Sequence, residues 1–142
     1  MQSFRSSSFY PEPFVNEDPY VLMNHVLMEV PPKYKLFNYT CHIDLRRVHQ
    51  ANSRDLTRGA IVIYDLFRPY RRQLAGEMPT GKIACVLKYI PGSSECLIAY
   101  YGGDGLVGKM VPQSVPISDL FAFEEGFPDT WHNHYGTLVA YG

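Results

Sequence analysis

"GKIACVLKYIPGSSECLIAYYGGDG", Gly81 to Gly105, decides how this chain is read. Its two apolar runs, "KIACVLKYI" and "ECLIAYY", read as strands, being short and rich in β-branched and aromatic residues. "PGSS", Pro91 to Ser94, is a turn signal between them, and "GGDG" ends the second run in another turn. Tyr100 and Tyr101 stand together at the lip of that glycine turn, as core packing or as the wall of a pocket. Strand alternation sends them to opposite faces.

Upstream, "GAIVIYDLF" from Gly59 is a strand, apolar almost throughout, and "RPYRRQLAGEMPTG", Arg68 to Gly81, is a long basic loop. Downstream, "LVGKMVPQSVPI", Leu106 to Ile117, holds a fourth short strand that Pro112 and Pro116 confine to an edge or bring to an end. "SDLFAF" from Ser118 reads as a short helical turn or a last strand. The spacing predicts strands near residues 60–66, 82–90, 95–101 and 106–111, wound as a small antiparallel barrel.

Two further elements are expected before the barrel. In "DPYVLMNHVLMEV", Asp18 to Val30, an N-cap aspartate, a proline at the first helical position and the Pro31-Pro32 stop predict a helix. In "KLFNYTCHIDLRRV", Lys35 to Val48, the residues Phe37, Tyr39, Cys41, Ile43 and Leu45 recur at period two and predict a half-buried strand. "HQANSRDLTRG" is a polar connection.

The 142 residues suffice for one domain with a sizeable core, being 46% hydrophobic and 19% charged. A net charge of −1 argues against a chain built as a whole to hold nucleic acid. No apolar run approaches the roughly 18 residues of a membrane span, and "MQSFRSSSFYPEPF" lacks the apolar centre of a signal peptide. Three cysteines, Cys41, Cys85 and Cys96, with no C-x-x-C pair, point to free thiols in an intracellular protein of nucleus or cytoplasm. No Gly-rich phosphate loop, nucleophile elbow or paired-carboxylate motif is present. The expectation is a non-enzymatic chain without metal or cofactor.

"GAIVIYDLF", "GKIACVLKYIPGSSECLIAYYGGDG" and "VPISDLF" together resemble a Tudor domain, a small SH3-like barrel. Gly59, Tyr64, Val86, Leu97, Tyr100, Gly102 and Leu120 fall in that family's order. The likeness covers residues 59–123. It leaves a flexible N-terminal segment at 1–18, a flank packing on the barrel at 19–58 and a C-terminal flank at 124–142. Flanks of this kind occur in extended Tudor domains.

The resemblance implies a protein-interaction module or adaptor that docks a peptide or partner protein, with methylated arginine or lysine among its candidate ligands. Such cations are held in aromatic cages by cation–π attraction, roughly 0.5–2 kcal/mol per contact. Carried onto this chain, the cage candidates are Tyr64, Phe67, Tyr70 and Tyr100, with Asp104 as acceptor on the rim. Gly102 and Gly103 stand where the family commonly has a second aromatic, so one wall is missing. Binding of a methylated cation is expected to be weak or absent, with contacts to an unmodified partner segment dominating.

Two alternatives come from other motifs. The arginines Arg68, Arg71 and Arg72 around Tyr70 form a candidate nucleic-acid contact, extended by Arg46, Arg47, Arg54 and Arg58. "HYGTLVAYG" is similar to the histidine strand of NlpC/P60-type cysteine hydrolases. Cys85 and Cys96 lie inside strand-like runs, where burial disfavours a thiolate. His132 and His134 lack a third metal ligand fixed by sequence, and Trp131 is expected to cover the core.

Overall fold

A computed structural model of the chain describes residues 18–65, 80–102, 108–128, 131–134 and 137–140. Within them the protein is mainly β, with one N-terminal helix, α1 (Pro19–Glu29), and nine strands. The strands are β1 (Thr40–His42), β2 (Val48–Gln50), β3 (Ile61–Tyr64), β4 (Thr80–Lys88), β5 (Glu95–Gly102), β6 (Lys109–Pro116), β7 (Leu120–Phe123), β8 (Trp131–His134) and β9 (Thr137–Ala140).

The helix starts and stops where its sequence predicts. The Asp18 carboxylate accepts the Tyr20 N–H at 2.7 Å, and Pro19 opens the first turn, where a missing N–H costs nothing. Val30 is extended, the conformation that a following proline favours. Leu22, Met23 and Val26 form the buried face of α1, and Val30 continues it.

β4 is the spine. Ile83, Ala84, Cys85, Val86 and Leu87 are all at most 1% exposed, so this strand is covered on both faces, which is why its run is continuously apolar. Alternation divides the core in two. Ile63, Ile83, Cys85, Leu87 and Ala99 face α1 together with Cys41 and Ile43. Val62, Ala84, Val86, Ile98, Val115 and Leu120 form the other cluster, with Leu56.

One edge of β4 pairs first with β1 and then with β5; the other edge pairs with β3. β3 to β6 form an antiparallel meander. A 3₁₀ turn, Ile117–Asp119, leads into β7, which returns to pair with β3. "SDLFAF" is therefore both of the things its sequence allowed, a helical turn and then a strand. β9 pairs parallel with β1 and antiparallel with β8, which attaches the C-terminal flank to the sheet.

Two expectations need correction. The antiparallel barrel is not closed: the sheet stays open. Both edges of β7 are taken, by β3 and by β2, so none is left for β6. Pro112 and Pro116 lie four residues apart on β6, hence on the same edge, and neither can donate to a further strand. Nor is Lys35 to Val48 one strand. The Asp44 carboxylate accepts the Arg46 N–H at 3.0 Å, and the Asp44 carbonyl accepts the Arg47 N–H at 2.9 Å. That turn breaks the run into β1 and β2.

Candidate functional site

β3 and β5 both run antiparallel to β4, so their C-terminal ends lie at the same end of the sheet. Tyr64 closes β3 and Tyr100 stands near the end of β5. Two strand spacings, roughly 9.5 Å, would separate them if both rings stood upright. Between them β4 carries Ala84, the register partner of Tyr100 and of Val62. Its small side chain lets the rings lean together over it. Their centroids are 5.0 Å apart at 63°, an edge-to-face contact.

Both rings are half-buried, and a second set of contacts fixes Tyr100. The Tyr100 hydroxyl donates to Gln113 Oε1 on β6 at 2.5 Å. The ring of Tyr100 also lies across Gly102, where a Cβ would come within 2.9 Å of Tyr100 Cε2. Gly102 thus has a structural role as the seat of the aromatic. Tyr101 turns to the opposite face and packs with the α1 cluster, as alternation predicted. The Lys82 ammonium lies 5.7 Å from the centre of the Tyr101 ring.

The surroundings of Tyr64 are negative. Burial pushes its hydroxyl pKa up, and Tyr100, Asp119 and Asp65 push it further. Asp65 follows β3 directly and is 1% exposed, and its N–H donates to the Asp119 carbonyl at 2.8 Å. Burial also raises Tyr100. Negative charge near two half-buried aromatic rings would favour a cation over an anion there.

Of the residues singled out by sequence, Tyr64 and Tyr100 are brought together. Phe67, Tyr70 and Asp104 lie outside the described residues, as do Arg68, Arg71 and Arg72. Gln113, Asp65 and Asp119 were missed, since only strand register brings them to Tyr64 and Tyr100. Two of the arginines proposed to extend the basic loop are bonded to carboxylates of the chain itself, Arg46 to Asp44 at 3.1 Å and Arg58 to Glu29 at 3.4 Å.

The cysteines are all buried, and burial pushes their thiols up, Cys41 and Cys85 to about 12 and Cys96 to about 11. A thiolate nucleophile is disfavoured at each. Folded protein is expected to resist an aromatic disulfide reagent at mildly alkaline pH, while the denatured chain releases three equivalents of chromophore. Fast labelling of Cys85 or Cys96 in the native state would reinstate the hydrolase reading. Among the described residues no three His, Cys, Asp or Glu side chains gather as a metal ion would require, and no helix is long and apolar enough to cross a membrane. Trp131 is half-buried over Phe123 and Phe127 at the margin of the core, its indole N–H donating to the Pro128 carbonyl at 3.1 Å.

Comparison with known proteins returns no match, whether to a family model, a curated protein or a solved structure.

Proposed function

We propose that this chain is a protein-interaction module, and that residues 59–123 are an open, Tudor-like unit that docks a partner segment through a cationic side chain at Tyr64 and Tyr100. The strand order supports the likeness: a four-strand meander, a 3₁₀ turn, and a last strand that returns to the first. The observation that carries the function is the convergence of Tyr64 and Tyr100 from two strands, next to Asp65 and Asp119.

The arrangement favours a cation held against one ring face rather than enclosed. The edge-to-face contact turns one ring's edge toward the other's face, so the pair offers a ledge and not a box. A ledge discriminates little between a methylated and an unmodified arginine or lysine. The aromatic anchors then carry most of the binding energy.

Calorimetric titration with matched peptides bearing arginine, dimethyl-arginine, lysine or trimethyl-lysine tests this. Expected is binding of the cationic peptides with little preference among them. Tyr100→Ala or Tyr64→Ala is expected to weaken it by about 1–2 kcal/mol, roughly tenfold. A strong preference for a methylated form, lost in Tyr100→Ala, would show an enclosing cage instead. Binding untouched by either substitution would place the interaction elsewhere.

A further inference from the structure

We propose that His49, held between Asp55 and Glu124, is a pH-sensitive latch that fastens β2 and the loop 51–58 to the end of β7. Its Nδ1 lies 2.8 Å from Glu124 Oε1 and its Nε2 lies 2.9 Å from Asp55 Oδ2. A neutral imidazole has one N–H; its other nitrogen is a lone pair that would face a carboxylate oxygen. Both distances are those of hydrogen bonds. The arrangement therefore calls for the imidazolium, with each N–H donating to a carboxylate.

The two carboxylates belong to different parts of the fold. Asp55 lies in the loop after β2, and the same Oδ2 also accepts the Asn52 N–H at 3.0 Å. Glu124 follows β7, and its N–H donates to the Arg47 carbonyl at 2.9 Å, which sets it beside the start of β2. β2 has only three residues and pairs, among the described residues, with β7 alone. There the register partner of His49 is Ala122, which brings no charge. The ring is one-third exposed, so it exchanges protons with solvent.

Among the described residues, the charged groups acting on the ring are these two carboxylates. The bond to Asp55 raises the His49 pKa most; burial lowers it by less than the carboxylates together raise it. With the folded value above the ordinary 6.5, the latch contributes its full stabilisation below that pH. The contribution is lost as pH rises through the folded value. Deprotonation removes one bond and sets a lone pair against a carboxylate.

What the latch holds has a shape of its own. Leu56, Thr57 and Arg58 line a groove of about 380 Å³ together with Leu22, Leu87, Lys88 and Tyr89. Release of the loop would loosen the part of that groove's lining which Leu56, Thr57 and Arg58 supply.

The test uses ¹⁵N imidazole spectra and amide hydrogen exchange of the full chain between about pH 5.5 and pH 9. Expected are a doubly protonated His49 with a midpoint above 6.5, moving down toward 6.5 in Asp55→Asn and in Glu124→Gln. After correction for intrinsic rates, the Ala51 and Asn52 amides are expected to lose protection several-fold through the wild-type midpoint. In His49→Gln they should show no such step. The Glu124→Gln exchange of an exposed carboxylate for an amide keeps the test open if His49→Gln fails to fold. A midpoint at or below 6.5, or protection that does not follow the His49 titration, would overturn the latch.

Discussion

Replacing Leu120 with alanine is expected to remove about 2–5 kcal/mol of stability, the usual range for a buried leucine cut back to a methyl group. A domain of this size has roughly 5–15 kcal/mol in all. Leu120 is fully buried at the first position of β7, in the cluster with Val62, Ala84, Val86, Ile98 and Val115. Its backbone is pinned on both sides: it is the register partner of Tyr64 on β3, and its carbonyl accepts the Ala51 N–H at 2.8 Å. A site fixed by β3, β7 and the residue that follows β2 collapses little around a cavity, so the loss should fall well inside the range and not at its lower limit. Leu45→Ala is the control. Leu45 is 62% exposed in the turn between β1 and β2, and its removal should change stability by no more than about 0.5 kcal/mol. Urea denaturation of the two variants beside the wild type measures both. If Leu120→Ala falls as close to wild type as Leu45→Ala, β7 is not packed as described.

The elements that were legible are those whose signal is local. "KIACVLKYI", "PGSS" and "ECLIAYY" became β4, a turn and β5, because a continuous apolar run bounded by turn residues has few other ways to hide. Asp18, Pro19 and Pro31 marked the ends of α1 through side-chain and ring chemistry that acts over one or two residues. What failed depended on partners far away in the chain. Period-two alternation from Phe37 to Leu45 fits a strand, yet Asp44 offers its backbone neighbours a better set of bonds in a turn. The closed barrel failed because β2, far upstream, occupies the edge of β7 that closure would need.

The site followed the same division. Tyr64 and Tyr100 could be singled out as strand-end aromatics, but their contact rests on a third residue, Ala84, and on register. Gly102 was read as a missing wall; its place under the Tyr100 ring appears only once the ring's direction is known. The His49 arrangement was beyond reach, for Glu124 lies 75 positions downstream of the ring it bonds. A histidine, an aspartate and a glutamate at such spacings carry no pattern.

The second large effect is expected at Gly81, where Gly81→Ala should lower stability by about 1–3 kcal/mol and disturb the tyrosine pair as well. Gly81 sits at the crossing of β4 with the end of β3. A Cβ there would lie 2.7 Å from Ile63 Cγ2, 2.8 Å from the Tyr64 carbonyl oxygen and 3.3 Å from its carbon. The methyl of Ile63 is fully buried, and the Tyr64 contacts are backbone, so no flexible end can swing aside. β3 must instead move away from β4 at Tyr64. The reduced freedom of the unfolded alanine chain offsets only about 0.4–1 kcal/mol of this. Such a shift carries the Tyr64 ring away from Tyr100, because the pair meets across β4 at this end of the sheet. Gly81→Ala should therefore weaken the cationic peptide by a factor comparable to Tyr64→Ala, although residue 81 contributes no side chain to the ledge. Urea denaturation and peptide titration of the same variant separate the two effects. Lost stability with undiminished binding would mean that β3 yields elsewhere and that the ledge does not depend on this crossing. Unchanged stability would mean that β3 and β4 do not approach so closely at Gly81.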